Sequence, residues 1–231
     1  MWTKNQTTTV LGEELTALGF NVDFAPVADI LVNGKNSVIG NRAFGTDPEK
    51  VASMVAELVK GMEGQGLSAT LKHFPGHGST YSDSHKGYAA SDRTIYELEE
   101  NEFIPFASGI DAGADFVMVA HITLVNATEE KLPATLSEEV VEGMLKGKLG
   151  YKGIVITDAM NMGAIVNDYT TKEATVKSIK AGCDMILMPE NLKAAHSAVI
   201  EAVASGEITE ERIDESVKKI ISLKLEKGML K

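Results

Sequence analysis

The sequence predicts an α/β fold, a (β/α) barrel of the TIM type lacking its first strands, and three observations carry that prediction. Short apolar runs alternate with amphipathic stretches, the pattern of parallel βα units. Polar, chemically capable residues stand at the carboxyl ends of successive runs, Lys72 and His73, His121, Asp158 and Glu190, and a barrel gathers strand ends at one mouth. No glycine fingerprint opens a helix after the first strand, which argues against an open doubly wound sheet with its site at a switch point.

The chain opens on a helical pattern from Val10 to Leu18, and Phe20 to Val27 is the first strand. A helix is expected from Pro48 to Met62, where Val51, Met54, Val55, Leu58 and Val59 recur behind Asp47-Pro48, an N-cap followed by a first-turn proline. Leu67 to His73 then reads as a buried strand, and Pro75, Gly76 and Gly78 make the next segment an irregular loop. Asp115 to His121, Gly153 to Asp158 and Asp184 to Met188 complete a set of five strands of the length of buried parallel ones. Helices are expected over Ser137 to Leu149 and Thr209 to Leu230, each with a hydroxyl cap and acidic first-turn residues. Five strands fall short of the eight units of a barrel, so residues 1–231 are expected to form one domain, incomplete at its amino terminus. Val125 to Leu136 is too short to be a second domain.

With 44% hydrophobic and 24% charged residues, the composition is that of an ordinary globular domain. A net charge of −11 without any run of Lys or Arg argues against nucleic acid or an anionic membrane surface as partner. No apolar run approaches the ~18–20 residues of a membrane span, and residues 1–30 lack the layout of a signal peptide. The compartment stays open between cytoplasm and export directed by a signal upstream. The single cysteine, Cys183, precedes an apolar run and reads as a buried inert thiol, with no internal disulfide.

Three of the five histidines fall within Lys72 to His85, on a strand end and the loop beyond it, where catalytic groups concentrate. Asp83-Ser84-His85 can set a carboxylate beside an imidazole and make a general acid or base, or it can be a solvated turn. Asp158, after Ile154-Val155-Ile156, stands where a barrel places a nucleophile or a metal ligand, and also where a helix N-cap would stand. Lys72 and His73, adjacent on a strand, point to opposite faces unless the strand curls at its end. A zinc set of His73, His77, Asp83 and His85 fits poorly, because Pro75-Gly76 keeps His73 and His77 off a common helical face. No metal and no cofactor is expected.

Taken together, Phe24-Ala25-Pro26-Val27-Ala28-Asp29, Gly40-Asn41-Arg42-Ala43-Phe44, Lys72 to Gly78, Asp83-Ser84-His85 and Thr157 to Met162 resemble glycoside hydrolase family 3, in particular its β-N-acetylhexosaminidase branch. The resemblance runs in order from about Val10 to Leu230. It implies a retaining mechanism in which Asp158 is the nucleophile, His85 the general acid and base, and Asp83 the residue that orients His85, with Arg42, Lys72 and His73 binding the sugar. It also implies a carbohydrate substrate, terminal N-acetylglucosamine from cell-wall muropeptides or chitin-type glycosides. A glycoside phosphorylase using the same residues, and a non-catalytic fragment, are the alternatives. The upstream portion that supplies the family's first barrel strands has no counterpart here, so self-association through exposed barrel edges is expected. The resemblance gives His121 no role, and a core position behind the site is expected for it.

Overall fold

The computed structural model describes residues 4–32, 34, 36–80, 84 and 87–230. In chain order these form α1 (Lys4–Ala17), β1 (Val22–Asp23), a 3-10 turn Gly40–Arg42, α2 (Pro48–Glu63), β2 (Ser68–Phe74), a second such turn His77–Ser79, and β3 (Ala89–Ser91). Then come α3 (Ile95–Glu97), a π-helical turn Leu98–Glu102, α4 (Phe103–Asp111), β4 (Phe116–Val119), β5 (Ile122–Leu124) and a 3-10 turn Ala134–Leu136. A π-helix Glu139–Lys148 leads to β6 (Ile154–Thr157), α5 (Gly163–Val166), α6 (Thr171–Ala181), α7 (Leu192–Ala204) and α8 (Glu210–Glu226).

Four strands form a parallel sheet in the order β1-β2-β4-β6, with Val22 opposite Ser68, Thr70 opposite Phe116 and Val117 opposite Val155. The order of strands in space follows their order in the chain, with helical connections between them. This is the wall of a TIM-type α/β barrel. The fifth expected strand, Asp184 to Met188, is reduced to a single bridge between Met185 and Ile156, although the Met185 N–H still donates to Val155 and its carbonyl accepts from Thr157. The first is also shorter than expected. Beyond Val22–Asp23 the chain runs beside β2 through irregular bonds, Thr70 N–H to Ala25 O and Lys72 N–H to Pro26 O. Cis peptides precede Pro26 and Pro75, and a third joins Lys72 to His73.

Alternation along the strands sorts the core into two layers. Leu71, Val117, Val119 and Val155 pack with Val55, Val59, Phe106, Val140 and Val141 from the surrounding helices. Gly109 brings α4 so close that a Cβ there would lie 2.4 Å from Leu71. Phe116, Met118, Ile154 and Ile156 face the other way, the inner side of a barrel wall, and meet Ile220 and Leu223 of α8. Phe74 ends β2 fully buried, stacked on Phe103 at 5.4 Å and edge-on to Phe106 at 5.2 Å. That aromatic triad anchors the strand end that carries His73.

Local chemistry explains the helix boundaries. Asp47 accepts from Glu49 N and Lys50 N ahead of Pro48, and Thr209 accepts from Arg212 N at the start of α8, both as read from the sequence. Ser137 does not cap its helix: its hydroxyl is buried with no partner among the described residues, and the π-helix starts behind Glu138 with no side-chain cap. The opening helix starts at Lys4 rather than Val10 and ends one residue before Leu18. Among the described residues, no helix is long and apolar enough to cross a membrane.

The amino-terminal ends of the strands are fastened by charge. Lys227, just after α8, pairs with Glu63 and with Asp115, Ser68 donates to Asp115, and Ala69 N–H donates to Glu63 at 2.8 Å. Burial pushes the Glu63 carboxyl up to about 7, with Asp115 adding to the rise against the pull of Lys227 and the Ala69 amide. Folded Glu63 therefore holds its proton at pH values where the unfolded chain, near 4.5, has lost it, and stability falls as pH climbs through that window. Glu63→Gln has no proton to lose, so the fall of melting temperature between about pH 5 and 7 should flatten. An unchanged slope would reject the linkage.

Candidate active site

The site is built on the carboxyl end of β2. The register with β4 shifts between Leu71 and Phe74, and that irregularity is the curl that two adjacent strand residues need to serve one ligand. Lys72 is half-buried there and His73 is buried. Burial pulls the Lys72 ammonium below its ordinary value and Arg42 adds to the fall, while Asp158, Asp23 and Asp29 oppose it. Arg42 and Asp158 are thus each within electrostatic reach of Lys72. Arg42 itself is exposed on the Gly40–Arg42 turn and donates to Val38 O at 2.8 Å.

Asp29 ties the strand tips together. It is fully buried, and its Oδ2 accepts from His73 Nδ1 at 2.7 Å and from His73 N–H at 3.1 Å, while Oδ1 accepts from His77 N–H at 2.5 Å. Burial alone would raise its pKa, but His73 and then His77 more than offset this and hold the carboxyl below its usual range. A carboxylate accepts only, so Nδ1 of His73 carries the proton and Nε2 is the nitrogen turned away from Asp29. The ring is thereby fixed in tautomer and direction.

The loop after β2 closes against its neighbours. A Cβ on Gly78 would lie 1.8 Å from Ile30 O, so only glycine permits this approach. Asn36 donates to His77 O at 2.8 Å and to Thr80 O at 3.2 Å, tying the segment before Arg42 to the loop. His77 is buried, with Nδ1 2.9 Å from Thr80 Oγ1 and Nε2 2.9 Å from Ser84 Oγ. Burial lowers its pKa against the opposing charge of Asp29.

Asp158 stands just past β6, half-buried, with its N–H on Val119 O and its Oδ1 accepting from Ala159 N–H at 2.8 Å. The next helix begins at Gly163 behind Met162, so Asp158 does not serve as a helix N-cap. His121 is buried between β4 and β5, bonded to Thr135 Oγ1 and to Ala159 O. It lies behind the site, as expected. Glu190 is exposed and lines an outer groove with Asn167, Tyr169 and Thr170.

Asp83 and His85 lie outside the described residues. Ser84 between them is buried, held by His77 through its hydroxyl and by Ala164 N–H through its carbonyl. The sequence reading named Asp29 and Ser84 only within motifs and His77 only in a poorly fitting zinc set, gave none of them a positioning role, and passed over Asn36 and Thr135. Asp29 carried a usable signal, an acidic residue closing the apolar run Pro26-Val27-Ala28. The other four are ordinary loop polars whose partners only the fold reveals. No group of three or more His, Cys, Asp or Glu among the described residues is arranged to hold a metal ion.

Comparison with known proteins places these features in a family. The glycosyl hydrolase family 3 N terminal domain matches residues 3–223. A β-N-acetylglucosaminidase/β-glucosidase of Cellulomonas fimi is 35% identical over 230 residues, covering 96% of this chain and 41% of that protein. A β-hexosaminidase of Xylella fastidiosa (strain 9a5c) is 40% identical over 192 residues, 82% of this chain and 56% of that protein. The chain thus spans about half the length of the curated relatives it matches. Among solved structures, a glycoside hydrolase family 3 β-N-acetylglucosaminidase from Paenibacillus sp. superposes with a TM-score of 0.94 and 44% identity, over 97% of this chain and 43% of that one. A β-glucoside phosphorylase, BglX, superposes with a TM-score of 0.92 at 29% identity, over 98% of this chain and 42% of that one. A parallel barrel wall with Lys72, His73 and Asp158 at its strand ends, matched along nearly its whole length by these proteins, belongs to glycosyl hydrolase family 3.

Proposed function

We propose that this chain carries the catalytic residues of a retaining exo-β-N-acetylglucosaminidase acting on terminal N-acetylglucosamine of cell-wall muropeptides or chitin-type glycosides. The observation that carries the proposal is the convergence of Asp158 with Lys72 and the Asp29-oriented His73 at one set of strand ends. An acidic nucleophile beside a cation and a directed imidazole suits a polyhydroxylated ring whose anomeric carbon becomes electron-poor in the transition state. The names of the relatives favour the N-acetylated sugar, and the Paenibacillus enzyme is more similar than the phosphorylase, at 44% against 29% identity.

In the proposed mechanism, Asp158 attacks the anomeric carbon while His85 protonates the departing glycosidic oxygen, giving a covalent glycosyl-enzyme. His85, now neutral, takes a proton from water, which displaces Asp158 with net retention. Asp83 orients His85 and favours its charged form, and an imidazole reaches the needed proton affinity near neutral pH without the burial a carboxylic acid requires. Lys72, His73 and Arg42 hold the ring hydroxyls so that the reacting atoms meet in line.

The test is hydrolysis of nitrophenyl N-acetyl-β-glucosaminide by this chain, with the nitrophenyl β-glucoside and added inorganic phosphate as controls and the first-formed anomer read by NMR. Preference for the N-acetylated substrate by about tenfold or more, the β anomer first, and no sugar 1-phosphate are expected. First release of the α anomer would refute retention. Phosphate-dependent formation of sugar 1-phosphate would favour the phosphorylase, and no turnover would favour the non-catalytic reading.

A further inference from the structure

We propose that His121 is a positioning residue for the nucleophile, working through the backbone of Ala159; the proposal rests on reading Asp158 as that nucleophile. His121 leaves β4 at its carboxyl end and is 1% exposed, so it acts on the protein rather than on a ligand. Its Nε2 lies 3.0 Å from Ala159 O and its Nδ1 2.7 Å from Thr135 Oγ1, which is in turn 2.7 Å from Ala120 O.

Donor and acceptor chemistry fixes one of these bonds whatever the charge of the ring. The Ala159 carbonyl can only accept, so Nε2 carries a proton. The single Thr135 hydroxyl proton goes either to Nδ1 of a neutral ring or to Ala120 O, in which case Nδ1 is protonated and the ring is an imidazolium. In both states the Nε2–H donates to Ala159 O. Thr135 therefore accommodates a change of charge on His121 without loosening its hold on Ala159.

Ala159 is the residue that disposes the nucleophile. Its N–H donates to Asp158 Oδ1 at 2.8 Å, its carbonyl is held by His121, the preceding amide is held by Val119 O and the following one by Leu187 O. With the amide on Oδ1, Oδ2 is the oxygen presented to the anomeric carbon. The Ala159 carbonyl and the Met160 N–H share one peptide plane, held by His121 at one edge and Leu187 O at the other. Without the His121 bond that plane is held from one side only, and its swing about the Ala159 Cα disturbs the preceding plane, whose N–H aims the carboxylate. Small errors in the aim of a reacting group lower turnover while leaving ground-state binding nearly intact.

Two variants differing by one methylene separate this role from simple packing. The amide of His121→Gln reaches the place of Nε2 and can still donate to Ala159, whereas that of His121→Asn reaches only the place of Nδ1. On the nitrophenyl N-acetyl-β-glucosaminide, His121→Asn should lose about 30- to 100-fold in kcat with KM within about threefold. His121→Gln should recover to within about fivefold of the parent and keep both limbs of its pH profile, because His121 transfers no proton to substrate. Equal losses in the two variants, no loss in His121→Asn, or a loss confined to KM would overturn the proposal.

Labelling of Asp158 with 5-fluoro-N-acetylglucosaminyl fluoride, followed by intact mass, distinguishes the two levels. An unlabelled parent chain defeats the nucleophile assignment and the proposed function with it. A labelled parent with His121→Asn labelled at the same rate defeats only the role of His121. Nitrogen-15 NMR of the His121 ring offers a readout that needs no turnover: Nε2 is expected to stay protonated from about pH 5.5 to 8, and a ring protonated at Nδ1 alone would overturn the proposal.

Discussion

Asp158→Asn should abolish turnover of the aryl N-acetyl-β-glucosaminide, by about ten-thousandfold or more, the scale of loss when a covalent nucleophile is removed. The substitution keeps the shape of the side chain, and its Oδ1 can still accept from Ala159 N–H, the bond seen at 2.8 Å. Asp158 is half-buried, and with the Ala159 amide contact retained the melting temperature should stay within about 2 °C of the parent. The loss is then chemical rather than structural. In the smaller Asp158→Ala, azide supplies an external nucleophile in the space the carboxylate leaves, and with an activated leaving group it should restore part of the turnover as an α-glycosyl azide. That inverted product is the signature, since one displacement has replaced two. Turnover within tenfold of the parent, or a β-glycosyl azide, would remove Asp158 from the role.

Asp29→Ala should bring the largest change in stability. The carboxylate receives the His73 amide, the His73 ring and the His77 amide in a place without solvent, and Ala leaves all three donors buried without it. Leaving three buried donors without their acceptor costs about 3–5 kcal/mol. For a domain of this size that corresponds to a melting temperature lower by roughly 10 °C. The effect has a definite pH dependence. Because the folded pKa lies below the ordinary value of 3.8, the contribution is complete above about pH 5 and is lost as pH falls through the folded value. Parent and variant should therefore converge in acid. Thermal unfolding between pH 3 and 7 checks both statements, and a variant melting within 1 °C of the parent at pH 7 would contradict them.

How much the sequence revealed depends on the range of the interactions involved. The α2 helix was legible because Asp47, Pro48 and the Val51, Val55, Val59 stripe are local signals, and β2 because a glycine break and an apolar run bracket it. The short sheet of β3 and β5 was not, since Ala89-Ala90-Ser91 carries no strand pattern and pairs only with a segment more than 30 residues away. The helices α3, α4, α6 and α7 went unread although Thr94 with Glu97, and Thr170 with Glu173, form capping boxes, a pattern visible in one dimension. Ser137 misled for the opposite reason: a hydroxyl before two acidic residues has the form of a cap, but the backbone turns it into the core. In the site, Lys72, His73 and Asp158 were legible as strand-end polars. The partners of Asp29 stand 44 and 48 residues further on, and only the parallel pairing of the first strand with β2 brings them together.

The way Asp29 joins the tip of the first strand to His73 and His77 limits how such a site can diversify. On the proposed function, a change of sugar preference that altered the height or angle of His73 would disturb the His77 loop at once, and through Asn36 and Ser84 the segments on either side. Arg42, exposed on its own short turn and bonded only locally to Val38 among the bonds described, is free of that constraint. If Arg42 binds the sugar as proposed, adaptation to new glycosides has its least constrained route through the Gly40–Arg42 turn, and libraries aimed at altered specificity should begin there.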